Sequence, residues 1–150
     1  KHIETSKRQV KTPKVYFQDA GLLHAFLGVS NIEDLQGHPK IGASFEGFAI
    51  GEIIRVLGAD TEDCYFWRTH NGAELDLLVI QGSKRYGFEI KRTASPRVTP
   101  SMKIALEDLK LDSLRVIYPG TESFPLSSKI VAVPLKSVDE VHRRSFNRQL

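Results

Sequence analysis

Two strand-like runs decide the fold of this sequence: Glu74-Leu-Asp-Leu-Leu-Val-Ile80 and Tyr86-Gly-Phe-Glu-Ile-Lys91. A turn sequence, Gln81-Gly-Ser-Lys84, separates them. Upstream, the aromatic run Tyr65-Phe-Trp-Arg68 is joined to the first of these strands by Thr69-His-Asn-Gly72, whose Asn-Gly pair favours a tight turn. The three runs predict an antiparallel meander.

Polar side chains are spaced along these strands so that they share faces. Alternate residues of a strand point to one side, so Glu74, Asp76 and Leu78 are expected on one face. By the same rule, Glu89 and Lys91 share a face of the next strand. Carboxylates and an amine are therefore expected to converge where the two strands pair.

A helix is predicted before the meander. Ser44 is a plausible N-cap, Phe45–Leu57 has a strong helical period, and Gly58 ends it. Glu46 lies on the stripe of this helix that is otherwise apolar and expected to be buried, at i, i+4, i+7 and i+11 with Ile50, Ile53 and Leu57. An ionised carboxylate in that place needs a partner.

The segment after the meander predicts a mixed sheet. A Pro-containing loop over 93–100 leads to a helix from a cap at Ser101 through Leu111, followed by strands at 114–118 and 130–133. A helix between the third and fourth strands allows a parallel crossover. The prediction is an α/β (α+β) fold with a mixed β-sheet flanked by helices.

The chain divides into three expected regions. Residues 1–18 are polar and basic and are interpreted as a linker or the end of a preceding segment. The main domain is expected over 19–136, beginning with a short helix at 19–28 and a loop at 31–41. Residues 137–150 form an Arg-rich C-terminal tail with a weakly amphipathic helical pattern.

The composition is that of an ordinary globular domain. The chain has 150 residues, of which 41% are hydrophobic and 26% charged, with a formal net charge of +3. No apolar run approaches the roughly 18 residues of a membrane span, so no membrane partner is expected. Cys64 is the only cysteine, which excludes an internal disulfide and favours a cytoplasmic location. No Gly-x-x-x-x-Gly-Lys-Ser/Thr loop is present, so this segment carries no nucleoside-triphosphate motif of its own.

The carboxylates on the meander suit a hard divalent cation. Mg²⁺ prefers oxygen ligands and takes one or two carboxylates with waters and phosphates. Asp76 and Glu89 are the candidate ligands for Mg²⁺ or Mn²⁺, with the carbonyl of Ile90 as a third oxygen and Glu46 bound directly or through water. Lys91 is placed to orient a water or to stabilise charge on a phosphate. The chemistry indicated is phosphodiester hydrolysis.

Ordinary alternatives exist for each of these residues. A Glu-x-Lys on a strand is most often a solvated face, and an Asp between two leucines is often an edge-strand charge. What favours a site is the conjunction of a helical Glu, a strand Asp and a Glu-x-Lys in that order. The basic residues expected around the site are candidates for contacts with nucleic-acid phosphates, with a solvated face as their alternative: Arg68, Arg92, Arg97 and Lys103.

Five segments in order resemble the DUF4143 family. They are Lys14-Val-Tyr-Phe-Gln-Asp-Ala-Gly-Leu-Leu23, Phe45-Glu-Gly-Phe-Ala-Ile-Gly-Glu-Ile53, Tyr65-Phe-Trp-Arg68, Gly72-Ala-Glu-Leu-Asp76 and Phe88-Glu-Ile-Lys91. The resemblance implies the C-terminal part of a bacterial or archaeal AAA-type ATPase, so an ATPase module is expected in the same full-length chain.

The resemblance also implies a restriction-endonuclease-like core of the PD-(D/E)xK type. Its motif positions match Glu46, Asp76, Glu89 and Lys91, and none of the four is substituted. The leading hypothesis is a metal-dependent nuclease domain acting on DNA or RNA. The alternative is a non-catalytic interaction module that helps the ATPase form a homo-oligomer or hold a partner.

Overall fold

The computed structural model of the protein describes residues 41–138. The linker predicted over 1–18, the helix predicted over 19–28 and the tail beyond residue 138 lie outside the described residues. The described part contains two α-helices and a six-stranded mixed sheet, which confirms the predicted α+β fold. Neither of its helices combines the length and the apolar character that crossing a membrane requires.

Helix α1 spans Ile41–Leu57. Its predicted end is confirmed, because Gly58 follows with φ of +56°, a conformation that glycine adopts without a Cβ clash. The predicted N-cap at Ser44 is wrong: the helix begins at Ile41, and Ser44 is buried inside it. The residues just before Ser44 contain no proline, so helical hydrogen bonding continues through it.

The predicted meander is confirmed. Strands β1 (Cys64–Arg68), β2 (Glu74–Gln81) and β3 (Lys84–Ile90) are consecutive antiparallel neighbours. Gly72 and Gly82, in the two connections, have φ of +84° and +60°. Both glycines adopt the left-handed conformation that tight hairpin turns require, which is why these two short sequences predicted the turns correctly.

Helix α2 spans Pro100–Asp108 and connects β3 to the next strand. Its N-cap is Thr99, whose hydroxyl accepts a hydrogen bond from the backbone N–H of Met102 at 3.4 Å. The predicted cap at Ser101 is therefore wrong. Pro100 occupies the first turn of the helix, where its fixed φ suits the helix and its missing N–H costs no hydrogen bond, so the cap moves to the residue before it.

The second half of the sheet is built from β4 (Ser113–Tyr118), β5 (Phe124–Pro125) and β6 (Ile130–Pro134). The spatial order is β1-β2-β3-β4-β6-β5, with β3, β4 and β6 parallel. This confirms the predicted parallel crossover. The two-residue strand β5 pairs antiparallel with β6 and was not predicted, because a run so short carries no periodic pattern. Two short 3₁₀ turns lie at Thr61–Asp63 and Leu135–Ser137.

The sheet separates two clusters of buried apolar side chains. The α2-side cluster consists of Trp67, Ala73, Leu75, Leu78, Met102, Ala105, Leu109, Leu111, Leu114, Val116 and Ile130. The α1-side cluster consists of Ala49, Ile50, Ile53, Leu57, Leu77, Val79, Phe88, Ile117, Val133 and Val138. Each fully buried Leu, Ile or Phe side chain contributes about 1.5–3 kcal/mol relative to an exposed one. The domain is thus a three-layer arrangement in which one helix covers each face of the sheet.

Replacing Thr99 by alanine is expected to destabilise the domain by about 1 kcal/mol, because the N–H of Met102 loses its acceptor at the helix start. Chemical denaturation of the two proteins measures the change. Ser101→Ala is the matched control and is expected to change stability by less than about 0.5 kcal/mol. A larger loss at Ser101 than at Thr99 would show that the cap has been assigned to the wrong residue.

Candidate active site

The end of the β2–β3 pair brings two carboxylates together. The paired register ends with Leu77 opposite Phe88, and Asp76 and Glu89 are the next residues outward on their strands. Asp76 Oδ2 accepts a hydrogen bond from the backbone N–H of Ile90 at 2.8 Å. This bond ties the Asp76 side chain to the strand that carries Glu89, so the predicted convergence of the two strands is built into the backbone.

Glu89 and Lys91 form an ion pair at this site. Lys91 Nζ lies 2.7 Å from Glu89 Oε1. The Glu89 side chain is only 6% exposed, whereas that of Lys91 is 32% exposed. The second oxygen, Glu89 Oε2, is buried and has no hydrogen-bond partner among residues 41–138. A buried carboxylate oxygen without a donor is costly, by about 1–3 kcal/mol, so this atom needs an explanation.

A β-bulge in β2 lies at the Asp76 position. Tyr65 on β1 faces Leu78, but Trp67, two residues on, faces Leu75, so β2 has one extra residue between the two pairs. Leu75 and Leu78 consequently both belong to the α2-side cluster. The predicted strict alternation from Glu74 to Leu78 is therefore wrong, because it is interrupted between Leu75 and Leu78. Bulges re-aim side chains at the ends of ladders, and here the extra residue falls at the candidate ligand.

The environment of Glu89 favours its neutral form. Burial raises the pKa of this carboxyl above its ordinary value, and the negative charge of Glu74 acts in the same direction. The ion pair with Lys91 and the backbone amide of Asp76 lower the pKa, but they do not offset the burial. Ionisation of Glu89 is therefore less favourable in this site than in water, even with Lys91 beside it.

The family model described as "Domain of unknown function (DUF4143)" matches residues 41–138. The chain belongs to the DUF4143 family. This confirms the resemblance seen in the sequence. The matched residues begin with helix α1 and end directly after the last 3₁₀ turn, so they include both helices, the whole sheet and the carboxylate pair.

Two curated relatives of this DUF4143 chain come from mycobacteria. An uncharacterized protein of Mycobacterium bovis and one of Mycobacterium tuberculosis are each 46% identical to it over 132 residues, which is 88% of this chain. The chain spans about 30% of the length of these relatives. The DUF4143 region is therefore one part of each of the two longer proteins.

Replacing Glu89 by glutamine is expected to remove the cost of ionising a buried carboxylate in the metal-free DUF4143 domain at pH 7. Because the pKa is raised on folding, the native state holds this proton more tightly than the unfolded state does. The stability of the wild type therefore falls as the pH rises above about 4.3, the ordinary value for Glu, and through the native pKa. Denaturation curves between pH 4 and 8 in EDTA measure this slope.

Glu89→Gln is expected to remove that part of the slope, since the amide does not titrate in this range. The matched control is Glu62→Gln at an exposed position, which is expected to leave the pH dependence unchanged. If Glu89→Gln and the wild type have parallel curves, the burial of Glu89 does not govern its ionisation.

Glu46 lies on α1, which covers the face of the sheet occupied by the α1-side cluster. Ile50, Ile53 and Leu57 are buried as predicted, and Glu46 itself is half-buried. Its contact with Asp76 and Glu89 stays a prediction. Burial along the stripe supports the predicted orientation of the helix.

The four predicted basic residues do not all lie at the same place. Arg68 is exposed and lies 4.0 Å from Glu74, the carboxylate that acts on Glu89. Arg92 and Arg97 are exposed in the segment after β3. Lys103 instead lines a cavity with Lys129 and residues that follow α2. Arg68 therefore lies beside the carboxylate pair, and Lys103 belongs to a different feature.

The donor set of the site is consistent with a hard cation. Asp76, Glu89 and the carbonyl of Ile90 all supply oxygen ligands, and Glu89 Oε2 is an acceptor without a partner in the described part of the chain. Within residues 41–138, no group of three or more His, Cys, Asp or Glu side chains is arranged as a metal site. Two carboxylates and a carbonyl match Mg²⁺ or Mn²⁺, which keep several waters, better than a cage made entirely of side chains.

Two features of this region were absent from the sequence-based predictions. The bulge had one signal, the continuous apolar run Leu77-Leu-Val-Ile80 that interrupts the alternation of β2. The orphaned oxygen had none, because only the packing around Glu89 decides which of its oxygens meets a donor.

Proposed function

We propose that this domain is a metal-dependent nuclease that hydrolyses phosphodiester bonds in DNA or RNA. The observation that carries the proposal is the orphaned Oε2 of Glu89, buried next to Asp76 and two residues from Lys91. A buried anion with a raised pKa, lying beside a second carboxylate, is the environment that a divalent cation stabilises.

Three residues hold the proposed cation. Asp76 and Glu89 supply carboxylate oxygens, and Ile90 supplies its carbonyl oxygen. When bound, Mg²⁺ or Mn²⁺ supplies Lewis acidity toward a phosphate oxygen and lowers the pKa of water. The bulge fixes Asp76 at the end of the ladder, and the bond from the N–H of Ile90 fixes its carboxylate, so two of the three donors are oriented by the backbone.

Lys91 has a separate role. Its ammonium group lies against Glu89 in the absence of substrate, and its side chain is exposed enough to meet solvent. There it holds a positive charge beside the position of the scissile phosphate. It orients the attacking water and stabilises the negative charge that develops on the phosphate oxygens.

The fold order supports this proposal. A helix precedes an antiparallel meander, and a crossover helix then leads to a parallel strand next to the one that bears Glu89. This is the order that a restriction-endonuclease-like core implies. The four motif positions Glu46, Asp76, Glu89 and Lys91 fall on α1, β2 and the end of β3.

The context of the domain is also part of the proposal. The chain spans about 30% of the length of its mycobacterial relatives, which leaves room in such proteins for further domains. We propose that an AAA-type ATPase module belongs to the same full-length protein and that the nuclease domain is its effector.

Cleavage of supercoiled plasmid and of single-stranded DNA and RNA tests the proposed activity. We expect cleavage with Mg²⁺ or Mn²⁺ that is lost in EDTA and in Asp76→Ala. Asp60→Ala, at an exposed aspartate in the connection before β1, is the matched control and is expected to retain activity. Equal cleavage by wild type and Asp76→Ala would identify a contaminant and end the proposal.

A second function from another class is favoured by one observation. Both Asp76 and one oxygen of Glu89 already have partners within the protein, Ile90 and Lys91. A non-catalytic interaction module would keep these bonds permanently. It would bind its partner or form a homo-oligomer without a divalent ion, and Lys91→Ala would leave that association unchanged.

A further inference from the structure

A cavity of about 540 Å³ lies at the C-terminal end of α2. Its lining is rich in lysine and consists of Lys103, Leu106, Glu107, Lys110, Leu111, Asp112 and Lys129. Lys103, Lys110 and Lys129 are all exposed. Lys103 lies on α2 and Lys110 directly follows its cap, whereas Lys129 comes from the segment before β6, so the fold brings the third lysine to the other two.

Lys110 has an unusual backbone. Its φ is +52°, and it is the one non-glycine residue with a positive φ between residues 41 and 138. Lys110 follows the helix cap Leu109. Two backbone hydrogen bonds close the end of the helix: the N–H of Lys110 donates to Glu107 O, and the N–H of Leu111 donates to Leu106 O. This is a Schellman motif, in which glycine or asparagine is the usual residue.

The left-handed conformation is unfavourable for a side chain such as lysine. Leu111 is 1% exposed, and its burial in the α2-side cluster enforces the conformation at Lys110. A strained residue is retained most readily where its side chain has a use, and here the amine of Lys110 is carried to the rim of the cavity.

The acidic side chains of the cavity do not neutralise the lysines. Asp112 accepts hydrogen bonds from the backbone N–H of Arg85 at 2.8 Å and from Lys84 Nζ at 3.1 Å. Groups at the start of β3 therefore neutralise most of its negative charge. These contacts, with a smaller effect of Lys129, lower the pKa of Asp112. Glu107 is exposed and balances at most one of the three lining lysines. A positive surface remains for an anionic ligand.

The cavity lies on the same side of the sheet as Glu89 but at the opposite end of β3. A Cβ atom added to Gly87 would contact Leu111 and Leu114, so position 87 faces the α2-side cluster. Because alternate residues of a strand share a face, Glu89 and Lys91 are on that side too. Asp112 bonds to the start of β3, whereas Lys91 follows its end. Glu89 lies five residues after Lys84, the first residue of β3, so at about 3.3 Å per residue the two features are about 17 Å apart.

We propose that Lys103, Lys110 and Lys129 bind the phosphodiester backbone of a nucleic-acid duplex whose other part lies at Asp76 and Glu89. A distance of about 17 Å corresponds to about five base pairs at 3.4 Å each. The assignment of the second contact rests on the proposed nuclease function, but the binding surface itself does not require cleavage.

Metal-free binding of labelled DNA duplexes to the full 150-residue chain in EDTA tests this surface. All proteins carry Asp76→Ala, so that no cleavage occurs. Lys110→Asn removes the charge while keeping a residue that tolerates the left-handed conformation, and Lys110→Gly removes both the charge and the strain. Lys136→Asn, at an exposed lysine that lines a different cavity, is the matched control.

We expect both Lys110 variants to weaken binding of a 16-base-pair duplex by about threefold or more at 100 mM salt. The negative slope of log K against log salt is expected to become shallower by about 1. Lys110→Gly is also expected to raise the melting temperature by about 2–5 °C, so weaker binding cannot be attributed to unfolding.

Two results would overturn the proposal. The first is binding by both Lys110 variants that equals that of Lys136→Asn. The second is competition by inorganic triphosphate as strong, per phosphate, as that by the duplex, which would indicate a site for a small polyphosphate. Absence of cleavage in the wild type would contradict the proposed nuclease and leave this binding result intact.

Discussion

Replacing Lys91 by methionine is expected to lower the rate of divalent-dependent phosphodiester cleavage by about 10²–10⁴-fold. Methionine keeps most of the length of the side chain but removes the charge that lies 2.7 Å from Glu89 Oε1. The water and the phosphate then lose their positively charged neighbour, while Asp76 and Glu89 keep their oxygens. Initial rates on a labelled substrate at saturating Mg²⁺ measure the change.

A stability measurement separates catalysis from folding in this variant. Removing Lys91 leaves Glu89 with neither oxygen paired to a side chain, so some loss of stability is expected without metal. Rates are therefore compared at a temperature where circular dichroism shows both proteins folded. Lys136→Met, which removes an exposed lysine, is expected to leave the rate unchanged. A Lys91→Met protein that is folded and retains the wild-type rate would remove Lys91 from the chemistry.

Replacing Phe88 by alanine is expected to destabilise the domain by about 3–5 kcal/mol. The ring is 1% exposed in the α1-side cluster, where it packs between the sheet and α1. The guanidinium of Arg115 lies 5.8 Å from the ring centroid, so the variant loses a cation–π contact as well as buried area. The melting temperature is expected to fall by about 12 °C or more.

Phe48→Ala is the matched control, because the same atoms are removed from a side chain on α1 that is 42% exposed. Its stability is expected to change by less than about 0.5 kcal/mol. Equal losses at the two positions would contradict the assignment of the α1-side cluster as a dry core. Circular dichroism melts of the three proteins are sufficient to decide.

The meander and the crossover were predictable from the sequence because their causes are local. The glycines at 72 and 82 need positive φ, and the flanking runs are rich in β-branched and aromatic residues. Gly58 likewise predicted the end of α1. Such features depend on the conformational limits of individual residues, so they do not require knowledge of the packing.

Helix starts were predicted less well, and each error has a physical reason. Ser44 and Ser101 are good capping residues, but each lies inside its helix. At α2, the competing pair Thr99-Pro100 is the better start, since proline fits the first turn. At α1, nothing in residues 41–43 terminates the helix. The capping pattern alone did not distinguish a cap from a buried serine.

The residues of the candidate site were predictable, but their geometry was not. Asp76, Glu89 and Lys91 are brought together by strand pairing, which the turn at Gly82 imposes. The bulge in β2 was missed because it depends on how β1 pairs with β2 beyond the turn. Lys110 was missed for a similar reason, since its conformation is enforced by the burial of Leu111.

Asp76 and Glu89 are proposed to hold one divalent cation. A calorimetric titration of the wild-type chain with Mn²⁺, repeated with Asp76→Ala and Glu89→Gln, tests it most directly. One Mn²⁺ per chain is expected in the wild type, with binding weakened at least tenfold or lost in each variant, because each removes a charged oxygen ligand. No binding in the wild type, or equal binding by all three proteins, would contradict the claim.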